Sequence, residues 1–383
     1  MSKIAINTRF LLPDKLEGIG WFSYEVLKRW VEWHPEHEFL FIFDRKYDEQ
    51  FIFGSNVTPV VTFPQARHPF LFYWWFELSL PVVFRKHNAN FFMSPDGFMS
   101  LAANIPTLLV IHDIAWKHFP THIPFLYRKH YEHYMPLFAK KADQIATVSE
   151  FSKQDIIQHL GVVPDKIDVV YDGANKSFTP LSLEERVKVE DEYSQGCPYF
   201  LYVGSIHPRK NVVRLLQAFE QFKSKADSPM KLLLAGRIAW QSGDVGEQLE
   251  KMQHKNEVIF LGYTSEILLP KIVASAFAIT YVSLFEGFGI PMLEAMYCDV
   301  PSITSSTSSM PEVVGDAGLL ADPYSVDSVA NQMLRIWNEK GLRENLIEKG
   351  KIHRQKFSWD LTAEKMWSSM EKLAPRNLTN KIL

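Results

Sequence analysis

The stretch that decides the fold is E-G-F-G-I-P-M-L-E, residues 286–294. It follows an apolar, β-branched run at 278–282, which is typical of a buried parallel strand. Pro291 then precedes a helical pattern, and a proline at the first helical position already has the helical φ angle. The sequence therefore predicts a strand, a glycine loop and a helix start, the repeating unit of a parallel α/β sheet.

Two carboxylates, Glu286 and Glu294, bracket this turn. The free N–H groups and the positive dipole end of a helix N-terminus attract anions. Carboxylates bind phosphate poorly but accept hydrogen bonds from sugar hydroxyls. The combination fits a ligand with phosphate in the middle and a sugar at each end, which is a nucleotide sugar. For a single glutamate a purely structural turn would be the better interpretation; the pair of carboxylates favours a ligand site.

The bulk composition excludes several classes of protein. The 383 residues allow two domains, and 46% hydrophobic with 22% charged residues is ordinary for a globular chain. A net charge of −3 gives no reason to expect nucleic acid as a partner. Two cysteines cannot form a disulfide framework, so a cytoplasmic location is expected. The N-terminus lacks a signal-peptide profile, and no run of about 18 apolar residues exists.

Short apolar strands alternate with amphipathic helices along the chain, which predicts an α/β fold with two doubly wound, Rossmann-like domains facing a central cleft. We expect a first domain at 1–173, a linker at 174–196, a second domain at 197–357 and a helix at 358–383 that crosses back to the first domain. The predicted strands are 4–6, 39–43, 91–93, 107–111, 144–148 and 168–170 in the first half, then 199–203, 231–235, 258–261, 278–282 and 302–304.

A second motif, G-S-I-H-P-R-K-N at 204–211, follows the first strand of the second domain. Its adjacent cations, Arg209 and Lys210, could hold a diphosphate, the first by its planar fork and the second as a point charge. Taken alone, an exposed basic pair before a helix is the simpler interpretation.

The E-x7-E segment at 286–294 resembles the motif of retaining glycosyltransferases of family 4 (group 1), and the resemblance covers essentially the whole chain. It implies the GT-B architecture and transfer of a hexosyl group from a nucleotide sugar. It implies no cofactor and no metal, and the sequence has no Asp-x-Asp pair of the kind that holds a metal in the other glycosyltransferase architecture.

The resemblance also assigns roles in the second domain. Lys210 stands at the position where the family has a lysine that binds the phosphate. Many members also have an arginine directly after the glycine that corresponds to Gly204. Here that position is Ser205, so Arg209 is expected to supply the missing charge. Glu294 would accept hydrogen bonds from the ribose. Glu286 and the main chain of Phe288, Gly289 and Ile290 would contact the transferred sugar. The main chain of Leu293 would contact the phosphate, and Tyr263 would contact the base.

In the first domain the resemblance assigns His112, at the end of a strand, to the transferred sugar. It places the loop containing Gly18 and Gly20 over the donor diphosphate. A lone histidine after a strand is more often structural, and the glycines do not complete a dinucleotide-binding fingerprint, so both assignments depend on the resemblance.

The segment 68–84 is densely aromatic and is flanked by Arg67, Arg85 and Lys86. Such a pattern suits a membrane interface or a lipid-linked acceptor, and a buried helix explains it equally well. The Ser/Thr-rich run 302–310, which begins with a predicted strand, is interpreted as a flexible loop or as a ligand contact.

The leading hypothesis is a retaining, metal-independent hexosyltransferase. The 204–211 loop is most similar to the mannosyltransferase-like branch and favours GDP-mannose as donor. A glycan or lipid-linked saccharide is the expected acceptor, with the protein in the cytoplasm or peripherally bound to the inner face of the membrane. The alternative is a non-catalytic nucleotide-sugar or glycan-binding protein on the same fold.

Overall fold

The computed structural model describes residues 1–13, 16–237 and 243–373. The chain divides into two compact units: residues 1–172 together with the segment from Ser358 onward, and residues 173–357. The end of the predicted segment 358–383, beyond residue 373, lies outside the described residues.

The first unit contains a seven-stranded sheet in the order β3-β2-β1-β4-β5-β6-β7. Its strand pairs are parallel. The central strand β1 is buried along most of its length, as its run of apolar residues requires. The strands are β1 Lys3–Asn7, β2 Glu38–Phe43, β3 Val57–Val61, β4 Phe91–Ser94, β5 Thr107–Val110, β6 Gln144–Thr147 and β7 Ile167–Val169.

The helices of the first unit alternate with these strands, and one of them comes from the far end of the chain. They are α1 Gly18–Trp33, α2 Pro69–Trp74, α3 Leu80–His87, α4 Ala115–His118, α5 Phe125–Lys141, α6 Glu150–Leu160 and α15 Trp359–Glu371, with a π-helical turn at Trp75–Ser79 between α2 and α3. Helix α15 packs on α1, where the indole N–H of Trp30 donates to the carbonyl of Ala363 at 3.0 Å.

The aromatic segment 68–84 has a buried face and an exposed face. Phe72, Trp75 and Phe76 lie in the core of the first unit, whereas Phe70 is 74% and Trp74 is 56% exposed. Helical spacing explains the division, because residues three or four positions apart share one face. The buried face agrees with the buried-helix interpretation, and the membrane or lipid contact of the exposed face stays a prediction.

The second unit contains a six-stranded sheet in the order β10-β9-β8-β11-β12-β13. Its strand pairs are also parallel, and Tyr199, Phe200, Leu201 and Tyr202 of the central strand β8 are fully buried. The strands are β8 Tyr199–Val203, β9 Lys231–Ala235, β10 Val258–Gly262, β11 Ala278–Tyr281, β12 Ser302–Ser305 and β13 Gly318–Ala321.

The segment 174–196, predicted as a linker, contributes a helix to the second unit. This helix, α7, begins at a capping box formed by Ser182 and Glu185 and packs against α10. The helices of the second unit are α7 Leu183–Ser194, α8 Val212–Lys225, α9 Gly243–Glu250, α10 Leu269–Ser275, α11 Ile290–Tyr297, α12 Met310–Val314, α13 Val326–Asn338 and α14 Leu342–His353.

Both units thus have parallel sheets with intervening helices, and the predicted α/β fold class is confirmed. Among the described residues, no helix combines the length and the apolar character needed to cross a bilayer.

Candidate functional site

The chain reverses its direction of sheet growth between β8 and β11. From β8 it proceeds outward to β9 and β10, and from β11 it proceeds the other way to β12 and β13. Loops at the carboxyl ends of two such strands form the usual ligand crevice of an open α/β sheet. Here these loops are 204–211 and 282–289, so the two motifs singled out in the sequence converge at one edge of the sheet.

Glu286 joins both cations of the 204–211 loop. Its Oε1 lies 2.7 Å from Nζ of Lys210, and its Oε2 lies 3.0 Å from a guanidinium nitrogen of Arg209. Burial alone would raise the pKa of Glu286, but the charges of Lys210 and Arg209 outweigh it and hold this pKa at about 2. The three side chains form a cluster with one negative and two positive charges, so the cluster carries a net charge of one positive unit.

Tyr281, the last residue of β11, completes this cluster. Lys210 donates to its hydroxyl oxygen, and the hydroxyl donates to Glu286 Oε1 at 3.2 Å. Burial raises the pKa of Tyr281, which keeps the hydroxyl protonated for this bond. Sequence reasoning missed Tyr281 because an aromatic residue inside an apolar run predicts core packing.

Two serines hold the 286–289 loop in place. The hydroxyl oxygen of Ser308 accepts the N–H of Glu286 at 3.2 Å, and that of Ser309 lies 2.9 and 2.8 Å from the carbonyl oxygens of Glu286 and Phe288. The run 302–310 is therefore not a flexible loop: it begins with the buried strand β12 and ends in these two anchors.

Gly289 fixes the geometry of the turn into α11. Its φ angle is +113°, and a Cβ at this position would lie 2.2 Å from the terminal carbon of Met292. The side chains of Phe288 and Leu293 are buried, which leaves only their main chain for the expected ligand contacts, and these contacts stay a prediction. Ile290 begins the helix and presents its first main-chain N–H groups.

Glu294 differs sharply from Glu286. It lies half-buried on α11, and its carboxylate has no hydrogen-bond or ion-pair partner among the residues that the structure describes. Burial raises the pKa of Glu294 to about 8. A carboxyl group that loses solvation without gaining a protein partner is a candidate for ligand contact, and the expected contact of Glu294 with the ribose stays a prediction.

Tyr263 follows β10 and is 63% exposed. The guanidinium of Arg237, which comes after the neighbouring strand β9, lies 5.4 Å from the centre of its ring. The ends of β8 and β9 pack closely beside this pair. A Cβ at Gly236, after β9, would lie 1.9 Å from the carbonyl oxygen of Gly204, after β8. Arg237 was not singled out from the sequence; its position after an adjacent strand could have identified it.

Gly204 has a φ angle of +142°, which favours glycine. Ser205 is exposed and its carbonyl accepts the hydroxyl hydrogen of Tyr202 at 2.9 Å. The loop therefore turns at Gly204 and leaves the Ser205 side chain on the surface, without the charge that an arginine would supply there.

In the first unit, His112 follows β5 and is held from two sides. Its Nε2 lies 2.8 Å from the carbonyl oxygen of Pro95, and its ring packs edge-on against Phe22 at 4.9 Å. Burial lowers the pKa of His112, so the neutral ring donates from Nε2. Its neighbour Asp113 instead accepts the N–H of Ala115 at 2.9 Å, at the start of α4.

A buried polar network that sequence reasoning missed lies next to this histidine. Asp96, adjacent to Pro95, forms an ion pair with Arg9 at 2.5 Å and accepts the Asn7 amide at 2.7 Å. Asn7 is the last residue of β1 and Arg9 follows this strand, while Asp96 follows β4, the neighbour of β1 in the sheet. The network fixes the segment whose carbonyl orients His112.

Gly18 and Gly20 form the first turn of α1 in the first unit. Gly18 is exposed, and a Cβ there would meet no atom within 4 Å, whereas a Cβ at Gly20 would lie 2.9 Å from the carbonyl oxygen of Phe10. Gly20 is thus needed for packing, whereas Gly18 borders open space, and its expected place over the donor diphosphate stays a prediction.

Two family models match the chain. The model described as "Glycosyl transferases group 1" matches residues 185–353, and the model described as "Glycosyltransferase Family 4" matches residues 17–178. The first match lies within the second unit, and the other covers most of the first unit and ends six residues into the second.

Curated relatives of the chain include enzymes named as mannosyltransferases. The chain is 36% identical over 222 residues to O-antigen chain mannosyltransferase B of Escherichia coli, covering 57% of this chain and 58% of that protein. It is 26% identical over 251 residues to O-antigen chain mannosyltransferase RfbU of Salmonella typhimurium, covering 66% and 65%. The match thus spans about three fifths of the length of these two relatives. A further match, to serotype-specific mannosyltransferase WbdA of Escherichia coli, spans 33% of that protein.

Solved structures share the fold over nearly the whole chain. Anabaena HepE in complex with UDP and glucose has a TM-score of 0.76 at 17% identity, covering 97% of this chain and 100% of that one. A glycosyltransferase from Rickettsia africae has a TM-score of 0.73 at 17% identity, covering 97% and 98%. The fold is that of the GT-B glycosyltransferases, and the chain belongs to the group 1, family 4 glycosyltransferases.

Proposed function

We propose that this protein is a retaining, metal-independent hexosyltransferase that moves mannose from GDP-mannose to a glycan or a lipid-linked saccharide. The observation that carries the proposal is the cluster of Lys210, Arg209 and Glu286 at the carboxyl ends of β8 and β11, followed on α11 by the unpartnered carboxylate of Glu294.

Lys210 and Arg209 provide the chemistry that this transfer needs most. When the glycosyl–phosphate bond breaks, negative charge grows on the leaving diphosphate, and two fixed cations stabilise it. Because Glu286 neutralises only one of the two charges, the cluster remains attractive to a diphosphate. By analogy with other fixed donors to a developing anion, one such cation contributes about 3 kcal/mol to lowering the barrier.

The carboxylates and the aromatic ring account for the two ends of the donor. Glu294 accepts hydrogen bonds from the ribose, and Glu286 with the main chain of residues 288–290 meets the transferred sugar. Tyr263, with Arg237 across its ring, offers a flat surface for the base. In the first unit, His112 contacts the transferred sugar through the ring nitrogen that Pro95 does not occupy, and Gly18 lets the main chain approach the diphosphate.

The stereochemical proposal is attack of the acceptor on the same face that the diphosphate leaves. No carboxylate is assigned as a covalent nucleophile, since Glu286 is held by two cations. The leaving phosphate oxygen takes the proton of the acceptor hydroxyl as the new glycosidic bond forms. The products are a mannoside of retained configuration and GDP.

The names of the relatives support mannose as the transferred sugar, because the group includes three distinct O-antigen or serotype-specific mannosyltransferases. The structural neighbour HepE was solved with UDP and glucose, which makes UDP-glucose the donor against which GDP-mannose must be compared.

The exposed side of segment 68–84 supports a lipid-linked or membrane-bound acceptor. Phe70, Tyr73, Trp74, Leu78 and Val82 are each at least half exposed, and they recur at helical spacing. Arg67, Arg85 and Lys86 at the ends of this stripe are exposed cations. An apolar stripe flanked by cations suits the interface of an anionic membrane, so we propose peripheral binding at the cytoplasmic face.

A donor screen tests the proposed function. The purified protein is heated with GDP-, UDP-, ADP- and dTDP-sugars, and a ligand present at a hundred times its dissociation constant should add about 2.7 kcal/mol to the unfolding free energy. Transfer and hydrolysis are then measured with the donor that stabilises most. Stabilisation without any turnover would support the non-catalytic alternative, and turnover of UDP-glucose with none of GDP-mannose would reject the proposed donor.

A further inference from the structure

A cluster of two histidines and one aspartate lies in the first unit and has no part in the function proposed above. Nε2 of His118 lies 2.8 and 2.9 Å from the two carboxylate oxygens of Asp155, and Nε2 of His159 lies 3.4 Å from Oδ1 of Asp155. The three potential ligand atoms all lie within 4.8 Å of one another. No other group of three His, Cys, Asp or Glu side chains converges in this way within residues 1–13, 16–237 and 243–373.

Two helices bring these side chains together. His118 is the last residue of α4, while Asp155 and His159 stand four residues apart on α6 and therefore share one face of that helix. The sequence analysis could not find the cluster, because His118 and Asp155 are 37 residues apart and no spacing rule connects them.

We propose that His118, Asp155 and His159 bind a divalent transition-metal ion, with zinc as the ion that fits their chemistry. Two imidazoles and one carboxylate are a donor set that zinc accepts, whereas magnesium and calcium prefer ligand sets made of oxygen. This ion is independent of the metal-free transfer chemistry assigned to the second unit.

The distances from Asp155 to the two histidines suit a tetrahedral ion. With metal–ligand bonds of about 2.0–2.1 Å, neighbouring ligand atoms lie about 3.3 Å apart. The 3.4 Å between His159 and Asp155 already matches this separation, and the 2.8 Å between His118 and Asp155 widens by about half an ångström as the ion enters. Both histidine side chains are part-exposed, at 30% and 28%, which gives the ion an entry path and leaves the fourth position to water.

The site would join the two elements that flank His112. Helix α4 starts two residues after Asp113, whose carboxylate accepts the N–H of Ala115. Near the start of α6, the hydroxyl of Ser152 donates to the carbonyl of His112 at 3.2 Å. An ion held between the end of α4 and the middle of α6 therefore closes a ring around residues 112–118 and restrains the loop that carries His112.

The test uses the full chain stripped of metal with EDTA and titrated with zinc chloride. We expect one equivalent of zinc to remain after dialysis. His159→Gln is the main variant, because it removes one ligand and leaves the ion pair of His118 and Asp155 intact. Loss of an outer partner of a metal ligand already costs 10–100-fold in affinity, so this variant should bind zinc at least about 100-fold more weakly. His133→Gln, at an exposed histidine on α5, is the matched control and should bind as the unaltered protein does.

Two spectroscopic measurements complete the experiment. Cobalt(II) in place of zinc should give the intense visible bands of a four-coordinate site, and these bands should be absent in His159→Gln. Hydrogen exchange of residues 112–118 should slow when zinc is added to the unaltered protein and to His133→Gln, but not to His159→Gln. Failure to retain an equivalent of zinc, or equal zinc affinity in His159→Gln, would show that the cluster is an ion pair only. Zinc binding without slower exchange would overturn the restraint of the His112 loop.

Discussion

Lys210 and Glu286 are 76 residues apart in the chain, and their side chains meet at 2.7 Å. They meet because β8 and β11 are neighbours in the sheet, so the loops that follow these strands reach the same point. The ion pair couples the two motifs of the second unit: a change in either side chain alters the charge that the other presents.

Replacement of Lys210 tests the role of this charge in the reaction. We expect Lys210→Ala to reduce kcat by about 100-fold or more, since the lysine acts on charge that grows as the glycosidic bond breaks. Donor affinity should fall less. Steady-state kinetics together with calorimetric titration of the donor separate the two effects.

Lys225→Ala is the control for this experiment, because Lys225 is an exposed lysine at the C-terminal end of α8, whereas Lys210 lies just before the N-terminal end of this helix. It should leave both kcat and donor affinity unchanged. If Lys210→Ala changes only the Michaelis constant, then Lys210 contributes to ground-state binding and has no special role in the transition state.

Replacement of Glu294 tests the ribose assignment. Burial keeps this carboxyl group largely neutral near pH 7, and a hydrogen bond between neutral groups is worth about 0.5–1.5 kcal/mol, so Glu294→Ala should weaken donor binding by roughly 2–10-fold. The fold should persist, since the carboxylate has no hydrogen-bond or ion-pair partner in the described part of the chain. Calorimetry with the free nucleotide measures the effect, with the exposed Glu344→Ala as control. Equal nucleotide affinity in both variants would reject the assignment.

The raised pKa of Glu294 has a consequence for stability. In the folded protein this carboxyl group has a pKa of about 8 because of burial, against 4.5 for the ordinary group. Between these two pH values the folded state binds more protons than the unfolded state, so the unfolding free energy falls as the pH rises. We expect Glu294→Gln to remove this part of the slope, and denaturant unfolding of both proteins from pH 5 to 8 measures it.

The pH profile of Glu294→Gln must be compared with that of the unaltered protein, because a second buried carboxyl group titrates in the same pH range. Burial also raises the pKa of Asp172 to about 8, and that contribution remains in Glu294→Gln. Glu286 contributes in the opposite sense and at lower pH, where stability is lost as the pH falls from 4.5 towards 2. Parallel pH profiles for the two proteins would show that Glu294 has an ordinary pKa.

Charge reversal at the end of the aromatic stripe tests membrane binding. A cation near an anionic surface is worth about 1 kcal/mol, so Arg85→Glu with Lys86→Glu should lower binding to phosphatidylglycerol vesicles by at least about 30-fold. Vesicle sedimentation measures this, and Lys188→Glu with Lys225→Glu is the control at two exposed lysines of the second unit. An equal loss in both double variants would mean that only net charge matters.

The two strands that the sequence analysis missed both lie at the edge of a sheet. β3 contains Pro59, which argues against a central strand because proline cannot donate to the ladder. β13 starts at a glycine, and its Leu320 is 37% exposed. The central strands were predicted within one or two residues because they are buried on both faces and read as continuous apolar runs.

The site was predictable where it follows a local pattern. Residues 286–294 form a strand-to-helix turn that the sequence alone defines, and the structure has this turn. The bonds of Glu286 to Lys210 and Tyr281 and the anchoring by Ser309 depend on strand order, which no local spacing encodes. Asp96 and Arg9 were missed for the same reason, since 87 residues separate them.

The return of α15 to the first unit bears on how the protein is made. Trp30 is fully buried, and its indole contacts both the carbonyl of Ala363 and the ring of Trp367. A ribosome that has completed the first unit's sheet must still synthesise the 185 residues of the second unit, Gly173–Phe357, before α15 emerges. Throughout that interval the nascent chain exposes the apolar surface around Trp30. The second unit, whose residues are contiguous, is therefore the one that can finish folding first, although most of the first unit is synthesised before it.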